Sequence, residues 1–420
     1  MKKVFAFLLV VMFMVGSLLH ASYTENNSTL LSPILLENDI ITQTYPQKLV
    51  NFTNLAVYER TATSSWGYLN LDIGAGILGI SGGPVPNISN LTVTNFGQTL
   101  PSNIIGVMYS TKLDSLDIGA NVVYGMDKDY EVEKKDGGTD DKDVLTDLME
   151  SYAKIVLGAS LKGDLALDLG LSVALPGYSS NPKNYNAAGN LTDDNYTKLG
   201  GLLLGVNVGT KLSEIILDLG IEFGSLKAER QTWTDVDGNG TPEVNILQTS
   251  EDSNIALNLL AGKKTKVTET FEVIIGSGLS VNLASPTKDV TENKISGTKT
   301  YNTNRDSSTT ITIPLNLAVL CKINETWSWM AGLSKNFLIM TNTNYKTVSA
   351  TDETVTDESN RSQFDIDETL STAMGITGTF GDVKIQGTIN SSILTNGPYF
   401  ISGAITPNLI SMLALVYDWK

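Results

Sequence analysis

The chain has 420 residues, a formal net charge of −16, one cysteine and one histidine. A protein this acidic is poorly suited to bind nucleic acid, and we expect no such partner. The only histidine, His20, lies in a stretch that we expect to be removed on export. The mature chain would then lack an imidazole for a Ser/His/Asp triad or a histidine-based zinc site, so an enzyme is not expected.

The N-terminus has the features of a secretory signal peptide. Lys2 and Lys3 precede an apolar stretch over residues 4–19, and a small residue, Ala21, marks the expected cleavage site. The apolar stretch is shorter than the roughly 20 residues that a membrane-spanning helix needs. The sequence therefore predicts a signal peptide over residues 1–21 and an exported protein, whose net charge falls from −16 to −18 with the loss of the two lysines.

From residue 66 onward the chain is a series of long strands with period-two alternation. In residues 214–224 the odd positions are apolar and the even positions from 218 onward are polar or glycine, which places the apolar side chains of the odd positions on one face of a strand. Similar hairpins recur about every 50 to 57 residues along the chain, which is a repeat of one hairpin and one long loop. Their turns contain an acidic residue each: Asp114, Asp164, Glu214, Glu269, Glu325 and Asp382.

This pattern predicts an all-β fold, a transmembrane antiparallel up-and-down β-barrel of about 14 strands over residues 66–420. We expect the first strand at 66–80 and the last at 408–420. Short and long connections alternate strictly, which is typical of outer-membrane barrels with short periplasmic turns and long extracellular loops. In lipid the first and last strands must pair, because open edges would leave backbone groups unsatisfied. A soluble secreted β-sandwich is the alternative fold.

The predicted location implies several partners. We expect outer-membrane lipid around the barrel and lipopolysaccharide near its acidic loops. The last strand has an alternating apolar face that ends at Trp419, which resembles the terminal signal that outer-membrane barrels present to the barrel-assembly machinery. A small solute or a hydrophobic ligand is the expected cargo.

By parity, five acidic residues at similar heights would face the lumen just above the short turns. Two interpretations are open: a filter that favours cations, or neutralisation of each acid by a lysine near the turns. The predicted ring consists of Asp72, Asp117, Asp168, Asp218 and Glu272.

Apolar side chains are also predicted to face the lumen, where a water-filled porin would have little use for them. They are Ile104, Met108, Leu203, Leu260, Ile274, Leu320 and Met330. Residues 22–65 contain an apolar cluster of their own that would be unfavourable in water. We expect this N-terminal segment to fold into the barrel as a plug, or the lumen to bind an apolar ligand. The segment's apolar residues are Leu30, Leu31, Ile34, Leu35, Leu36, Ile40 and Ile41.

A barrel of about fourteen strands preceded by such a segment resembles the long-chain fatty-acid transporter (FadL-type) family. The resemblance implies an N-terminal plug and the entry of hydrophobic compounds from outside. The functional expectation is passive uptake of small or hydrophobic molecules through an outer-membrane channel that the plug gates. The alternative is a barrel that transports nothing and anchors acidic loops for adhesion or other cell-surface interaction.

One loop suggests a metal site. Asp235, Asp237 and Asn239 occupy positions 1, 3 and 5 of a calcium-loop pattern, Gly240 occupies position 6, and Glu243 could serve at position 9. The acidic residue expected at position 12 is missing, and a plain Asp-Gly and Asn-Gly turn is the alternative. No other cofactor is expected.

Overall fold

The computed structural model describes residues 33–36, 39–61, 65–83, 101, 103–133, 144–163, 166–185, 191–235, 239–285, 287–302, 304–365, 370–389 and 410–419. Its twenty strands are β1 (Leu55–Thr61), β2 (Ser65–Asp72), β3 (Ile77–Gly83), β4 (Ile104–Lys112), β5 (Leu116–Glu133), β6 (Val144–Leu161), β7 (Leu167–Tyr185), β8 (Leu191–Asp194), β9 (Tyr196–Leu212), β10 (Ile215–Thr234), β11 (Val244–Lys266), β12 (Phe271–Ala284), β13 (Lys288–Asn293), β14 (Thr298–Tyr301), β15 (Ser307–Lys322), β16 (Trp327–Val348), β17 (Val355–Asp365), β18 (Ser371–Phe380), β19 (Val383–Ile389) and β20 (Ile410–Asp418). Three short helical elements precede them: α1 (Pro33–Leu36) and two 3₁₀ helices, Asp39–Gln43 and Pro46–Asn51.

Sixteen of the described strands form a closed antiparallel barrel, which confirms the predicted fold class. Going around the barrel, the order is β1 to β7, β9 to β12, β15, β16 and β18 to β20, and β20 pairs with β1. One end, which we call the tight-turn end, holds the short connections of the hairpins, such as Leu212 to Ile215. At the opposite loop end, β8, β13, β14 and β17 extend the ladder beyond the barrel wall.

The predicted count of fourteen strands is wrong by two, for two separate reasons. The stretch 66–80 is not one strand but the hairpin β2–β3, whose turn is closed by Ile73 N–H donating to Gly76 O, with Gly74 at φ +84°. The apolar–polar alternation continues on either side of this short turn, and glycine can also occur inside a strand. The turn could therefore not be recognised from the sequence. The second addition is β1, which lies in the predicted N-terminal segment, so the barrel begins at Leu55 and not at residue 66.

The seam between the first and last strands closes the ring. β1 pairs antiparallel with β20 from Leu55 opposite Asp418 to Thr61 opposite Met412. At the tight-turn end the seam is secured by Trp419, whose backbone N–H donates to Asn54 O at 3.1 Å. The Trp419 ring also stacks on Tyr417 with 5.4 Å between centroids.

The two faces of the wall differ in chemistry. Outward positions carry large apolar side chains that remain exposed, among them Ile105 (66% exposed), Leu157 (53%) and Leu171 (52%). Inward neighbours on the same strands, such as Met108 and Val156, are almost fully buried. Among the residues that the structure describes, no helix has the length and apolar character to span a bilayer.

At the loop end, an ion-pair cluster joins three separate segments. Glu353 lies between β16 and β17 and contacts Arg305 and Lys288, each at 3.2 Å. The hydrogen bond from Arg305 is the main cause that lowers the pKa of the Glu353 carboxyl, and the bond from Lys288 adds to it. Because the carboxyl pKa is lower in the folded chain than in the unfolded one, this pairing stabilises the cluster above the unfolded pKa. The stabilisation is lost as the pH falls through the folded pKa.

The β1–β20 seam predicts a specific cross-link. Tyr58 and Leu415 are direct partners on the outward face. Tyr58→Cys with Leu415→Cys, in a Cys321→Ser background, should therefore form a disulfide on mild oxidation, because opposed Cβ atoms lie within about 5.5 Å. Mass spectrometry of peptides from the folded barrel measures the yield. The control pairs Tyr58→Cys with Ser411→Cys, about 13 Å further along β20, and should not cross-link. Equal yields in both variants would contradict the register.

The Glu353 cluster predicts a local pH response. Hydrogen exchange of residues 348–355, corrected for intrinsic rates, should accelerate relative to the barrel strands as the pH falls through the lowered pKa of Glu353, because the carboxyl then loses its charge. The Glu353→Gln variant should show fast exchange at both pH 7 and pH 3.5. If the parent protein exchanged equally at the two pH values, the ion pairs would not order this loop.

Candidate functional site

The N-terminal elements lie inside the barrel. Residues 33–36 and 39–52, which we call the luminal segment, contact the wall on two sides. The helix α1 lies against β10 and β11, and the second 3₁₀ helix lies against β3 to β6. The segment therefore crosses the lumen before the chain enters β1. The structure does not describe the side chains of four predicted segment residues, Leu30, Leu31, Ile34 and Ile40. The predicted signal peptide, residues 1–21, also lies outside the described residues.

A row of strand glycines lets the luminal segment approach the wall closely. Gly119, Gly158 and Gly170 are in register across β5, β6 and β7. A Cβ at Gly119 would lie 2.7 Å from Gln47 Cα, and a Cβ at Gly158 or Gly170 would overlap Gln47 Oε1 or Thr44 O. Strand glycines that weaken a sheet are typically retained where another backbone approaches closely. The row therefore forms a shallow groove for this turn of the segment.

Gln47 fixes the segment in that groove. Its side chain is fully buried, and Nε2 donates to Ala159 O at 3.1 Å and to Leu169 O at 3.3 Å. Its own carbonyl accepts a hydrogen bond from Ser110 Oγ at 3.0 Å. Because the Gln47 side chain donates to strand carbonyl groups, this attachment depends on its exact position in the groove.

Two further polar contacts attach the segment to the predicted acidic ring. Lys48 Nζ lies 2.6 Å from Asp168 Oδ2, and Asp168 also accepts a hydrogen bond from Ser160 Oγ. The Tyr45 hydroxyl donates to Asp218 Oδ1. Neither Lys48 nor Tyr45 could be identified from the sequence as a partner of these acids, because strand alternation points to residues of the barrel strands and not to residues of the N-terminal segment. The order Tyr-Pro-Gln-Lys at 45–48 carries no motif that would have revealed them.

The predicted ring is brought together only in part. Asp117, Asp168 and Asp218 do lie in one register row, connected through Ser160 and Gly209. Each of the three has a partner, since Asp117 lies 2.6 Å from Lys162.

The other two ring residues lie elsewhere. Glu272 pairs with Lys264 at 3.2 Å, and Asp72 is exposed in the β2–β3 turn, where it accepts the Gly74 N–H at 2.8 Å. Pairing with a turn-adjacent lysine, as one interpretation expected, is found for Asp117.

Most of the predicted inward apolar residues do meet the luminal segment. Leu35, Ile41 and Tyr45 pack in one cluster with the wall, and Leu49 packs in a second one with Ile77. The predicted residues in these two clusters are Leu260, Ile274, Leu320 and Met108.

The remaining predicted apolar residues lie away from the segment. Ile104 and Leu203 pack around Val123, Tyr152 and Ala174 instead. The last of the set, Met330, lines an open chamber at the tight-turn end.

This chamber lies beside the luminal segment and has a volume of about 610 Å³. Its walls are the hairpins β11–β12, β15–β16 and β18–β19, which are on the far side of the barrel from the glycine row. Its lining is mixed, with Met330 and Leu320 next to Ser328, Thr377 and Gln386. The segment thus fills one part of the lumen at this end and leaves another part open.

The predicted calcium loop is described only in part. Asp235 is fully buried and its carboxylate accepts the backbone N–H groups of Asn239 and Gly240, and Asn239 Oδ1 accepts the N–H of Thr241. These bonds are those of an Asx-type turn. Asp237 lies outside the described residues. Within the described ranges no group of three or more His, Cys, Asp or Glu residues could hold a metal ion. Calcium binding through Asp235, Asp237, Asn239 and Glu243 stays a prediction.

Comparison with known proteins finds similarity in architecture alone. No family model and no curated protein sequence matches the chain. Among solved structures, the Pseudomonas putida toluene transporter TodX is similar over 90% of this chain and 91% of its own, with 11% identity and a TM-score of 0.36. The ferric yersiniabactin uptake receptor FyuA of Yersinia pestis is similar over 87% and 80%, with 8% identity and a TM-score of 0.34. The translocator domain of the Neisseria meningitidis autotransporter NalP is similar over 73% and 89%, with 11% identity and a TM-score of 0.29.

The glycine groove predicts a selective effect of one methyl group. Gly158→Ala should displace Gln47 and weaken the attachment of the luminal segment by about 1–3 kcal/mol, because the added Cβ overlaps the Gln47 side chain. Faster hydrogen exchange at residues 45–52, with unchanged exchange in the barrel strands, would be the expected result. Gly200→Ala is the matched control, since a Cβ there meets nothing within 4 Å. Equal exchange in the two variants would show that the groove does not hold the segment.

Proposed function

We propose that the protein is an outer-membrane channel for passive uptake of small molecules, and that the luminal segment acts as its plug. The observation that carries the proposal is the position of this segment, which crosses the lumen and is attached to the wall by Tyr45, Gln47 and Lys48. A barrel of sixteen strands that holds only side chains would leave an aqueous channel. The segment narrows that channel near the tight-turn end.

The outward face of the barrel supports a membrane location. Exposed large apolar side chains recur on neighbouring strands, as at Ile105, Leu157, Leu171 and Phe223. An apolar surface of this extent would make a soluble protein aggregate, whereas it matches the lipid-facing band of an outer-membrane barrel. The closed ladder meets the other requirement of the bilayer, because each of the sixteen described barrel strands pairs with two neighbours.

The chemistry of the attachment favours a plug that can be released. The polar attachment of the segment consists of hydrogen bonds and one ion pair whose two side chains are 27% and 15% exposed. Water can replace such contacts when the segment moves, and each of them contributes only about 1–3 kcal/mol. The apolar contacts of Leu35 and Ile41 add a hydrophobic term that keeps the segment inside at rest. Uptake of hydrophobic compounds, which the fatty-acid transporter resemblance implies, remains an expectation of that resemblance.

Weakening the polar attachment should open the channel. In planar bilayers the refolded mature protein should be closed most of the time, and Tyr45→Phe with Lys48→Gln should raise the open probability by about tenfold or more, since two contacts are lost. Tyr124→Phe with Lys112→Gln is the control, because both residues are exposed and no hydrogen bond or ion pair joins their side chains to the described part of the segment. Single-channel recording is the measurement.

A deletion of residues 33–48 completes the test. It removes most of the luminal segment and leaves β1 in place, whereas a deletion through residue 66 would also remove this strand and open the seam. We expect the deletion variant to conduct steadily. If it stayed silent in the bilayer while heat-modifiable gel migration showed a folded barrel, passive transport would be rejected and a surface-anchoring role would replace it.

A further inference from the structure

The charges that line the open chamber differ from those of the rest of the lumen. Three lysines project from the ends of β11, β15 and β19 into it: Lys266, Lys322 and Lys384. All three are exposed, and none of them forms an ion pair with any residue that the structure describes. These lysine side chains therefore face water without a described acidic partner.

The acids nearby compensate this charge only at the rim. Glu272 is inward-facing but pairs with Lys264. Glu269 and Glu325 also border the chamber, but they lie in the turns β11–β12 and β15–β16, beyond the ends of the strands. A solute that leaves the lumen would meet the lysines before it reached these two acids. On the opposite wall Asp117, Asp168 and Asp218 are already engaged.

The polar side chains between the lysines can also contact an anion. Lys322 is opposite Ser328, Ser328 is opposite Thr377, and Thr377 is opposite Gln386, so that one register row crosses β15, β16, β18 and β19. Hydroxyl and amide groups in such a row can donate hydrogen bonds to the oxygen atoms of a carboxylate or a phosphate. A water-filled cleft with low-dielectric walls concentrates ions of opposite charge.

We infer that this chamber is the passage beside the plug and that it selects small, water-soluble anions that bear carboxylate or phosphate groups. The inference rests on the proposed channel function and specifies its substrate class. It differs from the cation preference that the acidic ring suggested, because Asp117 and Asp168 are paired with lysines and Asp218 is hydrogen-bonded to Tyr45. The chamber lysines form no ion pair with a described residue. Charge rings of this kind set the selectivity of pores through the local potential.

A single thiol in the chamber can report this potential without any current. Ser328→Cys in a Cys321→Ser background places one cysteine in the row. This thiol should react faster with a negatively charged sulfonatoethyl methanethiosulfonate than with a positively charged trimethylammonioethyl methanethiosulfonate. The ratio of the two rates, divided by the same ratio for a free thiol in solution, should be about five. The refolded protein in a zwitterionic detergent is sufficient for this measurement.

Charge reversal then shows which residues cause the preference. Lys322→Glu should lower the rate ratio severalfold, and Lys266→Glu, Lys322→Glu and Lys384→Glu together should bring it below one. Lys112→Glu is the matched control, since Lys112 is an exposed lysine at the same end of the barrel but on the wall beside the luminal segment. It should leave the ratio within about twofold of the parent value. Heat-modifiable migration confirms that each variant is folded.

The outcomes separate the inference from the channel proposal. A parent ratio at or below one, or a thiol that reacts with neither reagent, would overturn the anion passage. A silent bilayer with a high thiol ratio would reject transport but keep the positive chamber. In a conducting protein, reversal potentials in chloride, phosphate and citrate gradients should show anion preference. Comparing the permeability for citrate with that for phosphate then shows whether carboxylate or phosphate groups are favoured. Cation preference of the open channel would overturn the inference.

Discussion

Closure of the sheet by β1 and β20 is the constraint on which the rest of the structure depends. An open sheet with an apolar outer face would leave a full row of backbone N–H and C=O groups unpaired at each edge, at a cost of several kcal/mol for each group in lipid. Pairing Leu55 with Asp418 and the residues that follow removes both edges at once. It also fixes where the luminal segment can lie, because the chain that precedes Leu55 must start at the tight-turn end, inside or outside the ring. Phe52, whose carbonyl accepts a hydrogen bond from the inward-facing Asn70 side chain at 3.0 Å, directs it inside.

Placing a chain segment inside the ring requires a wall that can receive it. The wall meets this requirement with glycine at three adjacent register positions, Gly119, Gly158 and Gly170, where backbone can meet backbone. The same register row continues through Asn207 and Gly220, but the second 3₁₀ helix contacts only the first part of the row. The arrangement combines a rigid, continuously hydrogen-bonded wall with a segment attached by a few contacts. These are the elements that the proposed plug requires, a movable component in a fixed frame.

Much of this architecture could be predicted from the sequence, because strand alternation and loop sorting are local signals that tertiary packing seldom overrides. Met108 and Ile274, which the alternation assigns to the inner face, are both buried. The β2–β3 turn was missed because Gly74 and Gly76 fit a strand interior as well as a turn. β1 was missed because its seven residues look like the irregular segment before them. The roles of Tyr45, Gln47 and Lys48 could not be predicted, since they depend on which of sixteen strands the segment meets, and no short-range pattern encodes that choice.

The electrostatics of the lumen follow from the same geometry. The recurrence of acids with the repeat predicts one ring with one role, yet the segment contacts only some of the strands that carry these acids. Where it lies, Asp168 and Asp218 are engaged by Lys48 and Tyr45, so their charge holds the segment and is not available to a passing ion. Where it does not lie, Lys266, Lys322 and Lys384 are exposed and form no ion pair among the residues that the structure describes. The acids that the segment engages and the lysines that line the chamber therefore lie on different sides of the barrel.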